Sequence, residues 1–347
     1  MRGAFRRFRL GGLLILLILA FLFDLSSGSI HIPVRDIFHI LFSRGATDPT
    51  WAFIVRDIRL PKAITAVLAG CGLSVSGLQM QTMFRNPLAE PGVLGITAGA
   101  SFGVAAVMLS GGSMATLYAI RELGSPGSWL IAGAACVGAG LVMLLVLALS
   151  SRLRDNVLML VIGLMMNSIT VALTSIWQFF SNPEEVKEYL LWTFGSLGGV
   201  TGSQLYILAI VVIVGLVAVF LSSKMLDALL LGENYARSMG LTVKRARIII
   251  VCSTSLLAGS ITAFCGPIGF MGIAVPHLAR LLFNTSSHRV LMPASCLLGA
   301  ILLLACDCIA QWPGTQTALP INIITSLVGA PVVIYLLVRK KNLNIQR

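Results

Sequence analysis

The sequence has few charged residues, and acidic side chains are the scarcer kind. Only 11% of its 347 residues are charged, with 13 acidic residues against 25 basic ones. Soluble domains usually carry about 25% charged residues, so this composition excludes an ordinary soluble enzyme or adaptor. Because 57% of the residues are hydrophobic and lie in repeated long runs, the chain has the composition of a protein that spans a bilayer.

The sequence also lacks the short motifs that carry common enzyme chemistry. It contains no G-x-x-x-x-G-K-[ST] phosphate loop and no H-E-x-x-H zinc motif. Its four histidines are scattered, and its seven cysteines lie in or beside apolar runs, where a thiol acts as a small hydrophobic group. We therefore expect no catalytic site, no metal site and no nucleotide site in this chain.

The first 23 residues, "MRGAFRRFRLGGLLILLILAFLF", combine a basic start with an apolar run, as a signal peptide does. No small-x-small cleavage site follows Phe23, and many further apolar runs come after it. We expect this segment to be a retained first membrane span.

Ten apolar segments approach the roughly 20 residues that a membrane-spanning helix needs. They predict an all-α polytopic membrane protein with a single transmembrane domain over residues 1–347. The predicted spans are 10–27, 60–83, 92–110, 129–150, 157–180, 202–222, 247–265, 268–285, 291–310 and 320–338.

The basic residues indicate which side of the membrane each connection faces. A net charge of +12 could suit a nucleic-acid binder, but the basic residues lie in short clusters between apolar runs. Ten spans place both termini on one side, and if that side is the cytoplasm, 18 of the 25 basic residues fall inside. This bias predicts an N-in, C-in topology and no nucleic-acid partner. Five basic residues between Arg35 and Lys62 are an exception on the outer side.

The longest predicted inner connection is 222–247, "SSKMLDALLLGENYARSMGLTVKRAR". Its apolar residues follow helical spacing on both sides of a central Gly-Glu-Asn. This pattern predicts two short amphipathic helices at the membrane surface.

Four stretches together resemble one family. They are "RLPKAITAVLAGCGLSVSGLQMQTMFRNPLAEPGVLGITAGA" (59–100), "LGENYARSMGL" (231–241), "GPIGFMGIAVPHLAR" (266–280) and "LPINIITSLVGAPVVIYLL" (319–337). They are similar to the FecCD-like permease subunits of bacterial ABC importers for iron–siderophore, haem and cobalamin. The resemblance covers nearly the whole chain and implies the type II importer permease architecture.

The resemblance also implies partners and a location. It implies a homodimer in the bacterial inner membrane that works with two separate ABC ATPase subunits and a periplasmic or lipid-anchored substrate-binding protein. ATP would bind on the partner subunits, and no cofactor is expected in this chain.

Two sets of residues carry roles that the resemblance implies for partner contacts. The outer residues Arg56, Arg59 and Lys62, in "VRDIRLPK", would face acidic groups of the binding protein. Exposed charges of this kind steer docking more than they add affinity, and the alternative is anchoring at the membrane interface. The resemblance would place a third docking charge at position 311, and this charge is in doubt because the chain has Gln311 there. On the inner side, the 222–247 segment would couple to the ATPase through Leu231, Gly232, Glu233, Ala236 and Gly240.

The pathway and its inner gate are assigned in the same way. The fifth predicted span would line the pathway with Asn167 and Ser168, for which the alternative is helix packing. Asn86 and Leu88, in "RNPLAEPGVLG", would form one part of a cytoplasmic gate, and Asn156 and Val157 in the 154–157 turn the other. Pro87 and Pro91 stop helix in this stretch.

Asp307 is an acid within the ninth predicted span. An ionisable residue at membrane depth suggests function, but a position near the outer end also allows a structural role, and both remain open. For cargo, the resemblance favours an iron chelate, with cobalamin or haem as alternatives. A secondary transporter that works without ATP is the competing class, and against it the spans hold few acids to couple ions.

Overall fold

All regular structure in the described residues is helical. The computed structural model describes the chain except residues 1, 29, 31, 43–47, 110–124, 151–155, 201, 312–317 and 346–347. We number the α-helices in chain order. They are α1 Arg2–Ser26, α2 Val34–Phe42, α3 Pro49–Phe53, α4 Leu60–Phe84, α5 Ile96–Met108, α6 Ser125–Ser150, α7 Asn156–Phe180, α8 Pro183–Thr193, α9 Ser203–Leu221, α10 Ser223–Leu230, α11 Glu233–Ser238, α12 Val243–Cys265, α13 Met271–Phe283, α14 His288–Ala310 and α15 Ile321–Ile345. A π-helical segment, Ile54–Arg59, joins α3 to α4, and a 3-10 turn, Pro91–Leu94, precedes α5.

The ten predicted spans each correspond to one helix in the structure. Among the residues that the structure describes, seven helical segments are long and apolar enough to cross a membrane, the second of them running continuously from Pro49 to Phe84. The other three, α5, α13 and the apolar part of α15, are shorter. A prediction from apolar length extends such a helix into the neighbouring turn, as it does for residues 92–95 before α5.

The chain divides into two compact units. The first comprises residues 1–75, 196–206 and 268–347. Within it, α14 packs against α1, α13 and α15. The backbones of α4 and α14 meet at Gly70 and Gly299, where a methyl group on either residue would overlap the other helix. Small residues at such crossings let membrane helices approach closely, where van der Waals packing replaces the hydrophobic effect.

The second unit comprises residues 76–195 and 207–267. Helix α5 packs against α6 and α7, and α12 packs against α6. Near the C-terminal end of α4, the Gln79 side chain is fully buried and bonds to the hydroxyl groups of Ser253 and Thr254 on α12. These bonds satisfy polar groups that would be costly to leave unpaired in an apolar interior.

Three helical regions lie outside the segments for which the sequence predicts helices: α2, α8, and α3 with the π-helical segment that follows it. Helix α2 follows a proline in a strongly amphipathic stretch. Helix α8 begins with a capping box, in which the Asn182 N–H donates to Glu185 Oε2 at 3.3 Å and Pro183 occupies the first turn. Asparagine, proline and a glutamate three residues after the cap are a readable start signal, but a search for long apolar runs passes over it.

Candidate functional site: the 85–95 loop and the coupling segment

The loop between α4 and α5, residues 85–95, has a fixed backbone. Helix α4 ends at Phe84, and Arg85 follows in the left-handed region with φ +49°. The Asn86 side chain then accepts the Leu88 N–H at 2.9 Å, and the Asn86 carbonyl accepts the Ala89 N–H at 3.1 Å. The loop is therefore a folded turn, and its tip at Leu88 is 42% exposed.

The far end of this loop contacts α7. The 3-10 turn Pro91–Leu94 places the Val93 carbonyl against Gly163, so closely that a methyl group at Gly163 would overlap it. Gly95 has φ +77°, a conformation that favours glycine. The loop and the predicted pathway helix thus share a tight backbone contact within the second unit.

The predicted pathway residues lie on α7 close to this contact. A Cβ atom at Gly95 would come within 3.4 Å of the Asn167 backbone nitrogen. The Asn167 side chain is half-buried. Ser168 is exposed and donates to the Leu164 carbonyl one turn earlier, at 3.1 Å. This geometry fits both alternatives, side chains that line a pathway and side chains that pack between helices. The pathway role of Asn167 and Ser168 therefore stays a prediction.

The other half of the predicted gate is only partly described. Asn156 and Val157 begin α7, and their side chains lie outside the described part of the structure. Arg154 and Asp155 lie outside the described residues. The gate role of Asn86 and Leu88 likewise stays a prediction.

The segment 222–247, which we call the coupling segment after its predicted role, contains the two short helices that the sequence predicts. Helices α10 and α11 are separated at Leu231 and Gly232, and Gly232 has φ +115°, a conformation that side chains rarely adopt. Ala236 is fully buried, whereas Leu231 is 63% exposed. Gly240 ends the second helix with φ +82°.

The exposed large apolar residues of this segment are Leu231, Tyr235 and Met239. Leu231 stands at the break between the two helices, Tyr235 lies within α11, and Met239 follows the last residue of α11. Exposed large apolar side chains within one short segment are typical of a contact surface.

Glu233 fixes the start of α11. Its carboxylate pairs with Arg247 on α12 at 3.1 Å and with Arg237 one turn along α11 at 3.4 Å. Arg247 is nearly buried and Arg237 is largely exposed. The first pair therefore ties the coupling segment to a membrane-spanning helix, and the second adds little.

The predicted docking residues differ in how much of each side chain is available. Arg56 is exposed and donates to the Ile40 carbonyl. Arg59 is only 6% exposed and donates to the carbonyl groups of Leu25 and Ile30. The Lys62 ammonium lies 2.9 Å from Asp307 Oδ1. Of the three, Arg56 has the side chain most open to a partner, and the docking role stays a prediction for all three.

Asp307 belongs to a buried group of four charges, Asp24, Arg59, Lys62 and Asp307, which we call the Asp307 cluster. Asp24 interacts electrostatically with Arg59, Lys62 and Asp307. Two acids and two bases balance, which makes burial of charge tolerable. Cys308 donates to Asp24 at 3.3 Å, and Gln311 donates to Asp307 at 2.7 Å. The structure thus gives Asp307 and Gln311 a definite place in the packing of the first unit.

The described residues contain no group of three or more His, Cys, Asp or Glu side chains that could hold a metal ion. The chemistry of both regions is that of turns, ion pairs and apolar contact. Together with the spans, it defines a class: a multi-span helical membrane protein.

Comparisons with known proteins define the class further. A sequence profile of the FecCD transport family matches residues 16–339, and the chain belongs to this family of ABC importer permeases. It is 32% identical over 336 residues to the hemin transport system permease protein HmuU of Yersinia pestis, covering 96% of each chain. It is 36% identical over 331 residues to the vitamin B12 import system permease protein BtuC of Klebsiella pneumoniae, covering 95% of this chain and 93% of that one.

A solved structure shows the same fold. It is described as an inward-facing conformation of a putative metal-chelate type ABC transporter, with a TM-score of 0.82 and 26% sequence identity. The likeness covers 95% of this chain and 98% of that one. The predicted all-α polytopic fold with the type II importer permease architecture is thereby confirmed.

Proposed function

We propose that this permease carries an iron chelate, such as a ferric siderophore, across the bacterial inner membrane. The observation that carries the proposal is similarity along the whole chain to permeases named for hemin and vitamin B12 and to a metal-chelate transporter. These cargoes are large and carry or resemble metal chelates. Cobalamin and haem are the alternative cargoes.

The proposed assembly is a homodimer of this chain with two ABC ATPase subunits and a substrate-binding protein outside. An ATPase contact at the coupling segment is supported by its exposed apolar side chains, Leu231, Tyr235 and Met239. The exposed Arg56 supports an electrostatic contact with the binding protein. The basic residues that the sequence places between spans support an N-in, C-in topology.

Closure of the ATPase dimer on ATP would move the coupling segment and switch the spans between outward-open and inward-open arrangements. This is rigid-body alternating access driven by a partner. The 85–95 loop, with Asn86 and Leu88, would close the inner end of the pathway. ATP chemistry would lie wholly on the ATPase.

The test is uptake into vesicles that hold the permease, its ATPase and ATP inside, with the binding protein outside. Ferric siderophore, cyanocobalamin and hemin are supplied in parallel, and the proposal expects ATP-dependent uptake of the ferric siderophore. Uptake of only cyanocobalamin or only hemin would replace the cargo. Uptake that persists with a hydrolysis-dead ATPase would contradict the importer and favour a secondary transporter.

A further inference from the structure

Arg85 is the residue through which the 85–95 loop touches the coupling segment. Its side chain leaves the loop at the end of α4 and donates from Nη2 to the Leu230 carbonyl at 3.0 Å. Leu230 is the last residue of α10. The carbonyl groups of the two residues before it already accept the N–H groups of Leu231 and Gly232. The Leu230 carbonyl is one of the groups at a helix end that lack a partner within the helix, and Arg85 supplies its donor. A cation is also favoured at the C-terminal end of a helix.

The guanidinium also occupies the space that a side chain at position 232 would need. The three atoms nearest to a Cβ built on Gly232 all belong to Arg85, and the closest, Nη2, would lie at 2.9 Å. Position 232 favours glycine because its φ is +115°. A methyl group there would also displace the Arg85 guanidinium from its present position.

Each end of this contact is fixed to a membrane-spanning helix. On one side, the Glu233–Arg247 pair holds the start of α11 to α12. On the other, the loop turn from Asn86 to Ala89 and the 3-10 turn lead to the tight contact of Val93 with Gly163 on α7. All of these contacts lie within the second compact unit. A displacement of α10 and α11 would therefore reach α7 through one hydrogen-bonded side chain and one folded loop.

We propose that Arg85 is a positioning residue for transport: it links the coupling segment to the 85–95 loop, so that movement of α10 and α11 moves the loop and α7. The inference rests on the proposed function, since it assumes that the coupling segment is where the ATPase acts. The left-handed φ of Arg85 is consistent with this role, because such backbone strain in a residue other than glycine persists where the surroundings hold it.

The experiment measures the number of substrate molecules imported per ATP hydrolysed, in vesicles containing equal amounts of assembled transporter. Arg85→Ala is expected to lower this coupling ratio about fivefold or more, the lower end of measured coupling between sites, while ATP hydrolysis continues. Arg85→Lys keeps a cation and a donor, and is expected to give an intermediate ratio. Arg289→Ala removes an exposed arginine from the first turn of α14, outside the coupling segment and the 85–95 loop, and is the matched control, expected to keep the native ratio.

The outcomes separate the link from the proposed function. No ATP-dependent uptake by the native protein would refute the function itself. Native uptake with an unchanged ratio in Arg85→Ala would overturn the link. If Arg85→Ala does not accumulate in the membrane, the ratio is measured for Arg85→Gln, which keeps the aliphatic stem and a neutral donor. A lowered ratio in Arg85→Gln supports the link, and a native ratio overturns it. An Arg289→Ala ratio as low as that of Arg85→Ala would also overturn the link, because loss of any exposed cation would then suffice.

Discussion

The Asp307 cluster and the coupling segment both hold acids and bases, but they use them differently. In the cluster, Asp307 is 2% exposed and its partner Lys62 is 16% exposed. These charges therefore pair with each other inside the protein and are not available to a partner. In the coupling segment, Glu233 is 24% exposed and one of its partners, Arg237, is 57% exposed. Buried charge makes a structure intolerant of change, whereas exposed charge leaves an element free to meet a partner. The comparison suggests that the first region holds the scaffold and the second transmits movement.

The largest effect is expected from Asp307→Asn. It leaves the two bases of the cluster, Arg59 and Lys62, with Asp24 as the one remaining acid, and breaking a buried ion pair costs about 3–5 kcal/mol in the free energy of unfolding. The measurement is thermal unfolding of the purified protein in detergent. The double variant Lys62→Met/Asp307→Asn keeps the cluster balanced, with Asp24 and Arg59, and is expected to be more stable than Asp307→Asn. Equal or lower stability of the double variant would show that the pair is not coupled.

The next effect is expected from Arg59→Ala. The buried carbonyl group of Leu25 and the part-buried carbonyl group of Ile30 would lose a charged donor, which costs about 1.5–3 kcal/mol for a hydrogen bond of this kind. Unfolding measurements on Arg59→Ala and the exposed Arg56→Ala separate packing from docking. We expect Arg59→Ala to lose stability and Arg56→Ala to lose affinity for the binding protein. A stable Arg59→Ala that no longer binds the partner would reverse this assignment.

A smaller effect is expected within the coupling segment. Arg247→Ala removes the partly buried partner of Glu233 and should cost about 1 kcal/mol, while Arg237→Ala removes an exposed i,i+4 partner and should cost about 0.3–0.5 kcal/mol. Unfolding midpoints of the two variants, read in the same buffer with and without added salt, provide the check. If Arg237→Ala were the more damaging change, Glu233 would be anchored along its own helix and not to α12.

The smallest effect concerns Glu90, in the 85–95 loop. Burial raises the pKa of its carboxyl above the ordinary value of 4.5. The folded protein then holds a proton that the unfolded chain releases, so this residue lowers stability as pH rises from about 4.5 through the raised pKa. Glu90→Gln should remove that part of the pH dependence and make the protein slightly more stable at neutral pH. An unchanged slope of unfolding free energy against pH would contradict the assignment.

Much of the fold could be predicted because apolar length is a local signal. Each predicted span corresponds to a helix, and the Gly-Glu-Asn break between α10 and α11 lies where helical spacing is interrupted. The start of α5 was harder to predict from the sequence, because Val93 and Leu94 in the 3-10 turn continue the apolar run into the helix. Helix α8 has a clear capping signal but too few apolar residues to register as a span.

The site was less predictable because its contacts join residues far apart in the chain. The charge count identified the Arg35–Lys62 residues as an outer exception, but it could not show that Lys62 meets Asp307 or that Arg59 reaches two carbonyl groups. In the same way, Arg85 was counted as one more inner base. Only the fold brings it to Gly232, and its left-handed φ is invisible in the sequence.

The contrast between the two regions can be tested by one measurement, the number of substrate molecules imported per ATP hydrolysed, taken side by side for Lys62→Met/Asp307→Asn and Arg85→Ala. The account predicts that the first variant keeps the native ratio in whatever protein remains folded, and that the second loses it while staying folded. A native ratio in Arg85→Ala together with a lowered ratio in folded Lys62→Met/Asp307→Asn would contradict the account, because the buried cluster would then be the element that transmits movement.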